Sequence, residues 1–309
     1  FITAFILVLW AIYLIRDLLV VLFVSIIFMS ALTPLVNFFV KIKLPKTLAI
    51  GLTYIIIVSI TAGAIAAILQ PLIEESSKLV VTLPQLSGQI LNIANIDKSV
   101  FQSELTNLSK NAFTFTLKIF DNLLAIIFLL VFTFYLLLER DNLEHRIASF
   151  FVGREERVKK LIVRIEEKLG SWLRGQLVLS VIIGLLSYIG LTVLGIPYAL
   201  PLSLIAGVLE VIPVIGPIIA AIPAILIAVV FSPFLGLGVA ALYFVIQQLE
   251  NHLIVPQVMK RAVGLNPLVV ILAIAIGSKL LGLAGALLAV PFAVVGQIIV
   301  TEIIEERKV

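Results

Sequence analysis

Leu18 to Val40 is a run of 23 residues without one ionisable side chain. About 20 apolar residues, rising 1.5 Å each in a helix, cross the roughly 30 Å hydrocarbon core of a bilayer. Four other stretches read as spans: Phe1–Ile15, a short or trimmed one, Thr47–Gln70, Phe115–Leu138 and Gly175–Leu194. Arg16-Asp17 divides the first two spans and reads as an interfacial pair, because adjacent residues point to different faces of a helix. A chain with so many such runs has no soluble solution. Of its 309 residues, 61% are hydrophobic and 13% charged, against about 25% charged in a soluble domain. Single soluble cores stop growing at roughly 250–300 residues. The bilayer takes the place of solvent, and the expected fold class is all-α: a polytopic helical membrane protein.

Several function classes fall away. The net charge of +4 is too small to argue for a nucleic-acid partner. Without cysteine there are no disulfides and no thiolate metal sites. Walker G-x-x-x-x-G-K-[ST], G-x-S-x-G and H-E-x-x-H motifs are absent, and His145 and His252 are the two histidines. Neither an enzyme, a cofactor, a metal centre nor an ATP-driven pump is expected. Residues 1–15 carry no Arg/Lys-rich start and no A-x-A site, so they read as a span and not as a secretory signal.

Charge placement orients the chain, since basic loops stay in the cytoplasm. Loop 41–46 holds Lys41, Lys43 and Lys46 and no acid. Region 139–174 is the most charged part of the chain and is rich in Arg and Lys. Segment 71–114 is mixed. This predicts N-terminal membrane helices over 1–70, an extracytoplasmic helical segment over 71–114, a span over 115–138 and a cytoplasmic amphipathic segment over 139–174. A transport core fills 175–309, and both termini are cytoplasmic. Val158, Leu161, Ile162, Ile165, Leu169, Trp172 and Leu173 recur at helical spacing beside Arg157, Lys160, Arg164 and Lys168. That pattern suits the anionic leaflet.

The fifth span exits near Gly195-Ile196-Pro197, and Phe234–Leu249 returns to the inner loop marked by Lys260 and Arg261. Residues 198–233 must therefore begin and end outside. Their halves, Tyr198–Ile212 and Pro217–Phe231, would rise only about 22 Å each, short of the core. A re-entrant hairpin follows, its tip at Pro213, Gly216 and Pro217, where amide donors are missing and the backbone is free to turn. Irregular backbone at this depth is tolerated only when buried in protein or lining a polar cavity. A similar interruption recurs at Gly277–Lys279 and Gly282–Gly285, as a second hairpin or two short spans. The total is about eight membrane segments.

Glu210 is the principal site candidate. A carboxylate inside a membrane helix costs about 2.5–3.5 kcal/mol on insertion scales, so it points to function. Desolvation disfavours its ionised form, which suits proton or cation exchange. The alternative is a cap for the broken helix, or a pair with a surface base. Gln247, Glu250 and Asn251 share a helical face by i, i+3, i+4 spacing in a polar girdle with Gln248 and His252. They are candidate pathway residues, or equally a helix end meeting water. A lone intramembrane acid argues against several coupled ions.

Three stretches together, LGIPYALPLSLIAGVLEVIPVIGPIIAAIPA, YFVIQQLENHLIVPQVMKRAVGLNPLVVILA and GLAGALLAVPFAVV, resemble the autoinducer-2 exporter family of bacterial membrane proteins. FTFYLLLERD and the Trp172–Gln176 run WLRGQ fit as well. The resemblance implies a transporter without an ATPase in the bacterial inner membrane, and it allows homo-oligomers. It carries Glu210, Pro213, Gly216 and Pro217 onto the family's E-x-I-P-x-x-G-P element, and Gln247, Glu250, Asn251 and Pro256 onto its Q-x-x-E element and following proline. The cargo it implies is a small polar solute such as the quorum-sensing signal autoinducer-2, or Na⁺ or Li⁺ exchanged for protons. A non-transporting scaffold is the reading of another class. It gives no reason to break helices at Pro213–Pro217.

Overall fold

A computed structural model describes residues 10, 14–94, 123–213, 215–259 and 264–306. The first span, the segment 95–122, Val214, Lys260 and Arg261 lie wholly or mostly outside that set. Every regular element among the described residues is helical: α1 (Arg16–Lys41), α2 (Lys46–Ala94), α3 (Leu123–Ser149), α4 (Glu155–Val193), α5 (Ala199–Leu209), α6 (Ile215–Phe231), α7 (Pro233–Leu249), a π-turn at Glu250–Ile254, α8 (Val255–Val258) and α9 (Pro267–Glu306). Among the described residues five stretches are long and apolar enough to cross a membrane: α1, α2 as far as Glu75, α4, α7 continued through Val258, and α9 from Leu268. The chain is a polytopic helical membrane protein.

Two helices run on past the ends of their spans. The amphipathic stretch and the fifth span are one continuous helix, α4. The stripe assigned to the leaflet buries Leu169 and Trp172 within the protein. Likewise α2 carries the third span straight into the mixed segment. The second continues through Pro71, which directly follows the span.

The chain divides into two compact units. One contains α1, the start of α2, α3, the first half of α4 and the end of α9. Its core is Met29, Val36, Ala49, Ile50 and Leu137. Two hydroxyls inside the apolar helices are satisfied within their own helix: Ser30 donates to the Ile26 carbonyl at 2.7 Å and Thr53 to that of Ala49 at 2.8 Å. Ion pairs join the charged helix ends. Lys46 Nζ meets Asp141 at 2.8 Å, Arg140 meets Glu166 at 2.7 Å, and Arg157 meets Glu302. The Lys46 ammonium, hydrogen-bonded to Asp141, holds that carboxyl below the usual carboxylate range.

The second unit holds the later part of α2, the second half of α4, and α5 to the first part of α9. Chain direction changes after α4 through Gly195 (φ 68°) and Tyr198 (φ 64°). Glu75 of α2 then caps α5, its carboxylate accepting from the Leu200 amide at 3.3 Å. α5 and α6 have 11 and 17 residues, about 16 and 26 Å, so neither crosses a 30 Å core. They pack through small side chains, Ala206 against Ala220, Ala224 and Ala228, with Leu202, Val239 and Tyr243. α4 comes close to α5 at Gly184 and Gly207. A Cβ on Gly207 would stand 2.8 Å from the Ser180 carbonyl and 3.3 Å from Gly184 Cα. Such contacts associate helices in lipid, where burial alone supplies little drive. Ser232 caps α7 by accepting from the Phe234 amide at 3.2 Å, with Pro233 at the first position.

The interruption in α9 is a second hairpin. Leu281 and Gly282 (φ 60°) leave helical geometry, and the chain doubles back until Gly277 and Gly285 touch. A Cβ on Gly285 would lie 1.9 Å from the Gly277 carbonyl oxygen, and one on Gly277 2.3 Å from that of Gly285. Along a straight helix eight residues span about 12 Å. The arms are unequal: 267–280 rises about 21 Å and 283–306 about 36 Å. Gly285→Ala is therefore expected to cost about 1–3 kcal/mol by overpacking and to lower the melting temperature in detergent. Gly296→Ala, with nothing within 4 Å of its added methyl, serves as control and is expected to leave melting unchanged or raise it. Equal melting of the two variants would contradict the close crossing.

Candidate functional site: two buried carboxylates beside a broken hairpin

Glu210 is the one charged residue between Gly175 and Leu249. It follows directly on α5 and is 1% exposed. Beyond it the helix breaks, because Pro213 and Pro217 have no amide to donate. The break looks after most of its own carbonyls. Val211 donates to Val208 at 3.3 Å, Ile212 to Leu209 at 2.9 Å, Ile215 to Pro213 at 2.8 Å and Gly216 to Ile212 at 2.9 Å. The Glu210 carbonyl accepts from Gln176 Nε2 of α4 at 2.6 Å, and Gln176 is itself 2% exposed. The group left over is the carboxylate: Glu210 Oε2 is buried without a hydrogen-bond partner among the described residues. A carboxylate leaves water only at considerable cost unless it is paired or neutralised.

The expectation of a lone intramembrane acid is corrected here. Glu250, read as part of a girdle, is 5% exposed. It opens the π-turn, in which the Val255 amide donates to the Glu250 carbonyl five residues back. Pro256 explains that turn: its ring would crowd the carbonyl of His252, which it also cannot serve with a donor. Widening the helix by one residue relieves both, and single π-turns often mark functional sites. Gln247 is half-buried and donates to Glu250 Oε2 at 2.9 Å. Asn251, Gln248 and His252 are exposed, and His252 Nδ1 lies 3.0 Å from the Gln248 carbonyl.

Both acids belong to the second unit, Glu210 at the end of α5 and Glu250 at the end of α7. Ala206 of α5 and Ile246 of α7 line one cleft, and one turn further along each helix stand Glu210 and Glu250. Gly175, next to Gln176, packs on the following segment, since a Cβ there would meet Met259 Sδ at 2.8 Å. The second hairpin closes another side, with Ile212 in the same cluster as Ile274, Ala286 and Ala289. The cleft has a volume of about 360 Å³ and is lined by Ile183, Ala206, Pro217, Ala221, Tyr243 and Gln247, among others. It is apolar but for the last two. Among the described residues no group of three or more acids and histidines is arranged to hold a metal.

Of the residues singled out in the sequence, the structure brings together Glu210, Pro213, Gly216 and Pro217 at the hairpin and Gln247 with Glu250 beside it. It leaves Asn251 on an exposed face. Gln176 went unnoticed as a site residue. Its signal is a polar side chain in WLRGQ at the point where an amphipathic helix turns wholly apolar.

A family model described as AI-2E family transporter matches residues 2–305. The chain belongs to that family. AI-2E members are transporters and not enzymes, which fits a site with two acids, two amides and no nucleophile. YrrI of Bacillus subtilis (strain 168) is 27% identical over 95% of this chain and 88% of that protein. The AI-2 transport protein TqsA of Escherichia coli (strain K12) is 31% identical over 86% of this chain and 80% of its own length. A sodium-lithium/proton antiporter of Halobacillus andaensis is 28% identical over 58% of this chain and 51% of its own. This AI-2E transporter is thus a multi-pass membrane protein with a transport role.

Proposed function

We propose that the chain is a secondary transporter of the bacterial inner membrane, exporting a small polar solute of the autoinducer-2 kind in exchange for protons, with Glu210 as the proton carrier. The observation that carries this reading is the buried Glu210 carboxylate at a broken hairpin, whose Oε2 has no hydrogen-bond partner among the described residues. A structural cap would spend that oxygen on a backbone amide. A second reading, exchange of Na⁺ or Li⁺ for H⁺, is favoured by the second buried acid and by the name of the Halobacillus relative. The test is proton flux in proteoliposomes against autoinducer-2, related polar solutes, Na⁺ and Li⁺. Flux driven by the solute and not by the cations supports export, the reverse supports antiport, and no flux with any of them would overturn both.

In the proposed orientation both termini and the 139–174 region face the cytoplasm. The Glu75–Leu200 hydrogen bond supports it, because the positive-inside reading sets residue 75 and the mouth of the 198–233 hairpin on the same outer face. The absence of cysteine makes the test clean. Asn95→Cys is expected to react with an impermeant thiol reagent added outside. Val152→Cys, in an exposed turn, is expected to react only after permeabilisation. Val152 is preferable to Gly153, whose φ of 81° would strain a side chain. The opposite labelling order inverts the assignment.

A further inference from the structure

We propose that Glu75 is a positioning residue for Glu210: it holds the N-terminal end of α5, so that the carboxylate at the other end keeps its place at the hairpin break. This rests on the reading of Glu210 as the coupling residue and adds to it a residue far away along the chain.

The start of α5 needs an acceptor from outside. Its cap residue, Tyr198, makes no side-chain cap hydrogen bond. Pro201, the third residue of the helix, has no amide to offer, and Leu202 already donates to the Tyr198 carbonyl at 3.2 Å. The amides of Ala199 and Leu200 are left without partners inside the helix. Glu75 of α2 accepts from the Leu200 amide at 3.3 Å, across 125 residues of chain. A cap side chain normally belongs to the residue just before the helix. Here it belongs to another helix, so the hydrogen bond that caps α5 also ties it to α2. A carboxylate is the favoured group at such an end.

The other end is held in the same manner. Gln176 of α4 donates to the Glu210 carbonyl at 2.6 Å. An 11-residue helix is thus fastened at each end by one side chain of a neighbouring helix. Between the two ends α5 meets α4 backbone against backbone. A Cβ on Gly184 would stand 3.5 Å from Gly207 Cα and 3.5 Å from the Ser203 carbonyl oxygen. Paired glycines offer no ridge to lock the register of two helices, so the end contacts set it. Leu200 and Glu210 lie about 15 Å apart along the helix, and a short helix is stiff along its axis. A shift at Leu200 therefore arrives at Glu210, and Glu75 acts on the carboxylate without touching it. What the role requires of Glu75 is an acceptor oxygen at the right reach, not its charge.

The experiment uses the full chain in vesicles with Ala206→Cys as the reporter of α5. Ala206 lies on that helix, lines the cleft and is 1% exposed, and the chain has no native cysteine. Two quantities are read: the rate at which the cysteine reacts with a small methanethiosulfonate, and, without the reporter, the pH profile of proton-coupled flux. Glu75→Ala is expected to change the labelling rate about fivefold, the population shift that one lost cap hydrogen bond supplies, and to displace the pH midpoint of flux. Glu75→Gln keeps an acceptor oxygen and is expected to restore both. Glu75→Leu, close in size and without an acceptor, takes the place of the alanine variant if that one does not fold. Wild-type labelling in the Ala and Leu variants overturns the proposal whatever the flux does. Labelling altered as much by Gln as by Ala overturns it too, since the charge would then matter and not the acceptor. Altered labelling with an unmoved pH profile supports Glu75 as the anchor of α5 and overturns the reading of Glu210 on which the proposal rests.

Discussion

Vesicles containing Glu210→Gln are expected to show proton-coupled flux no greater than protein-free vesicles, although the protein folds. Glutamine nearly matches glutamate in volume and lacks only the titration. Its extra amide hydrogens need an acceptor, because an unsatisfied buried donor costs about 1–3 kcal/mol. Removing a charge at membrane depth saves about 2.5–3.5 kcal/mol on insertion scales, which offsets that cost, so the variant should be no less stable than wild type. Glu210→Asp keeps the acid but shortens its reach by one methylene. It is expected to retain partial flux with a displaced pH optimum. The measurement is flux across a pH series at matched protein density, after size-exclusion chromatography has shown a single folded species. Wild-type coupled flux in Glu210→Gln would reduce Glu210 to a structural group.

The membrane class, the first hairpin and Glu210 itself were legible in the sequence because each rests on a local rule. Apolar run length gives spans. Two prolines and a glycine at Pro213–Pro217 break a helix whatever surrounds it. A carboxylate in such a run stands out, with a cap for the broken helix as its local alternative. What escaped the sequence depends on distant contacts. Gln176 and Glu210 are 34 residues apart, and nothing in WLRGQ says which carbonyl the amide will find. Glu250 and Asn251 are adjacent and looked equivalent, since helical spacing sets both on the face of Gln247. The structure buries one and exposes the other, both within the π-turn. The cause, Pro256, was visible, but a proline can kink, end or widen a helix, and packing selects among these. The second hairpin stood open against two short spans for a similar reason. Gly277 and Gly285 show their purpose only once the turn at Gly282 has brought them together.

Gly216→Ala is expected to abolish transport as completely as Gly216→Leu, and that separates a close backbone crossing from a loosely packed tip. Gly216 needs no unusual backbone angle; what it needs is space. A Cβ at this position would stand 1.9 Å from the Leu209 carbonyl oxygen, 2.5 Å from its carbonyl carbon and 3.2 Å from the Glu210 amide nitrogen. These are backbone atoms, so no rotamer change clears them. The Leu209 oxygen is also held, by the Ile212 amide at 2.9 Å. One methyl group therefore forces the two arms of the hairpin apart at the turn. Overpacking of this kind costs about 1–3 kcal/mol, which a chain of this size survives with a melting temperature lowered by a few degrees. Insertion depends on the apolar helices and should be unaffected. Function is more exposed, because the atoms displaced are the backbone of Leu209 and Glu210, and the Gln176 hydrogen bond ends on the Glu210 carbonyl. A shift of that backbone moves the carboxylate relative to Glu250. The assays are melting in detergent and flux in vesicles for both variants. Wild-type flux in Gly216→Ala would mean that the carboxylate does not depend on the crossing. Retained flux in Ala with loss in Leu would mean that the tip has room for a methyl group, and that the crossing is looser than 1.9 Å allows.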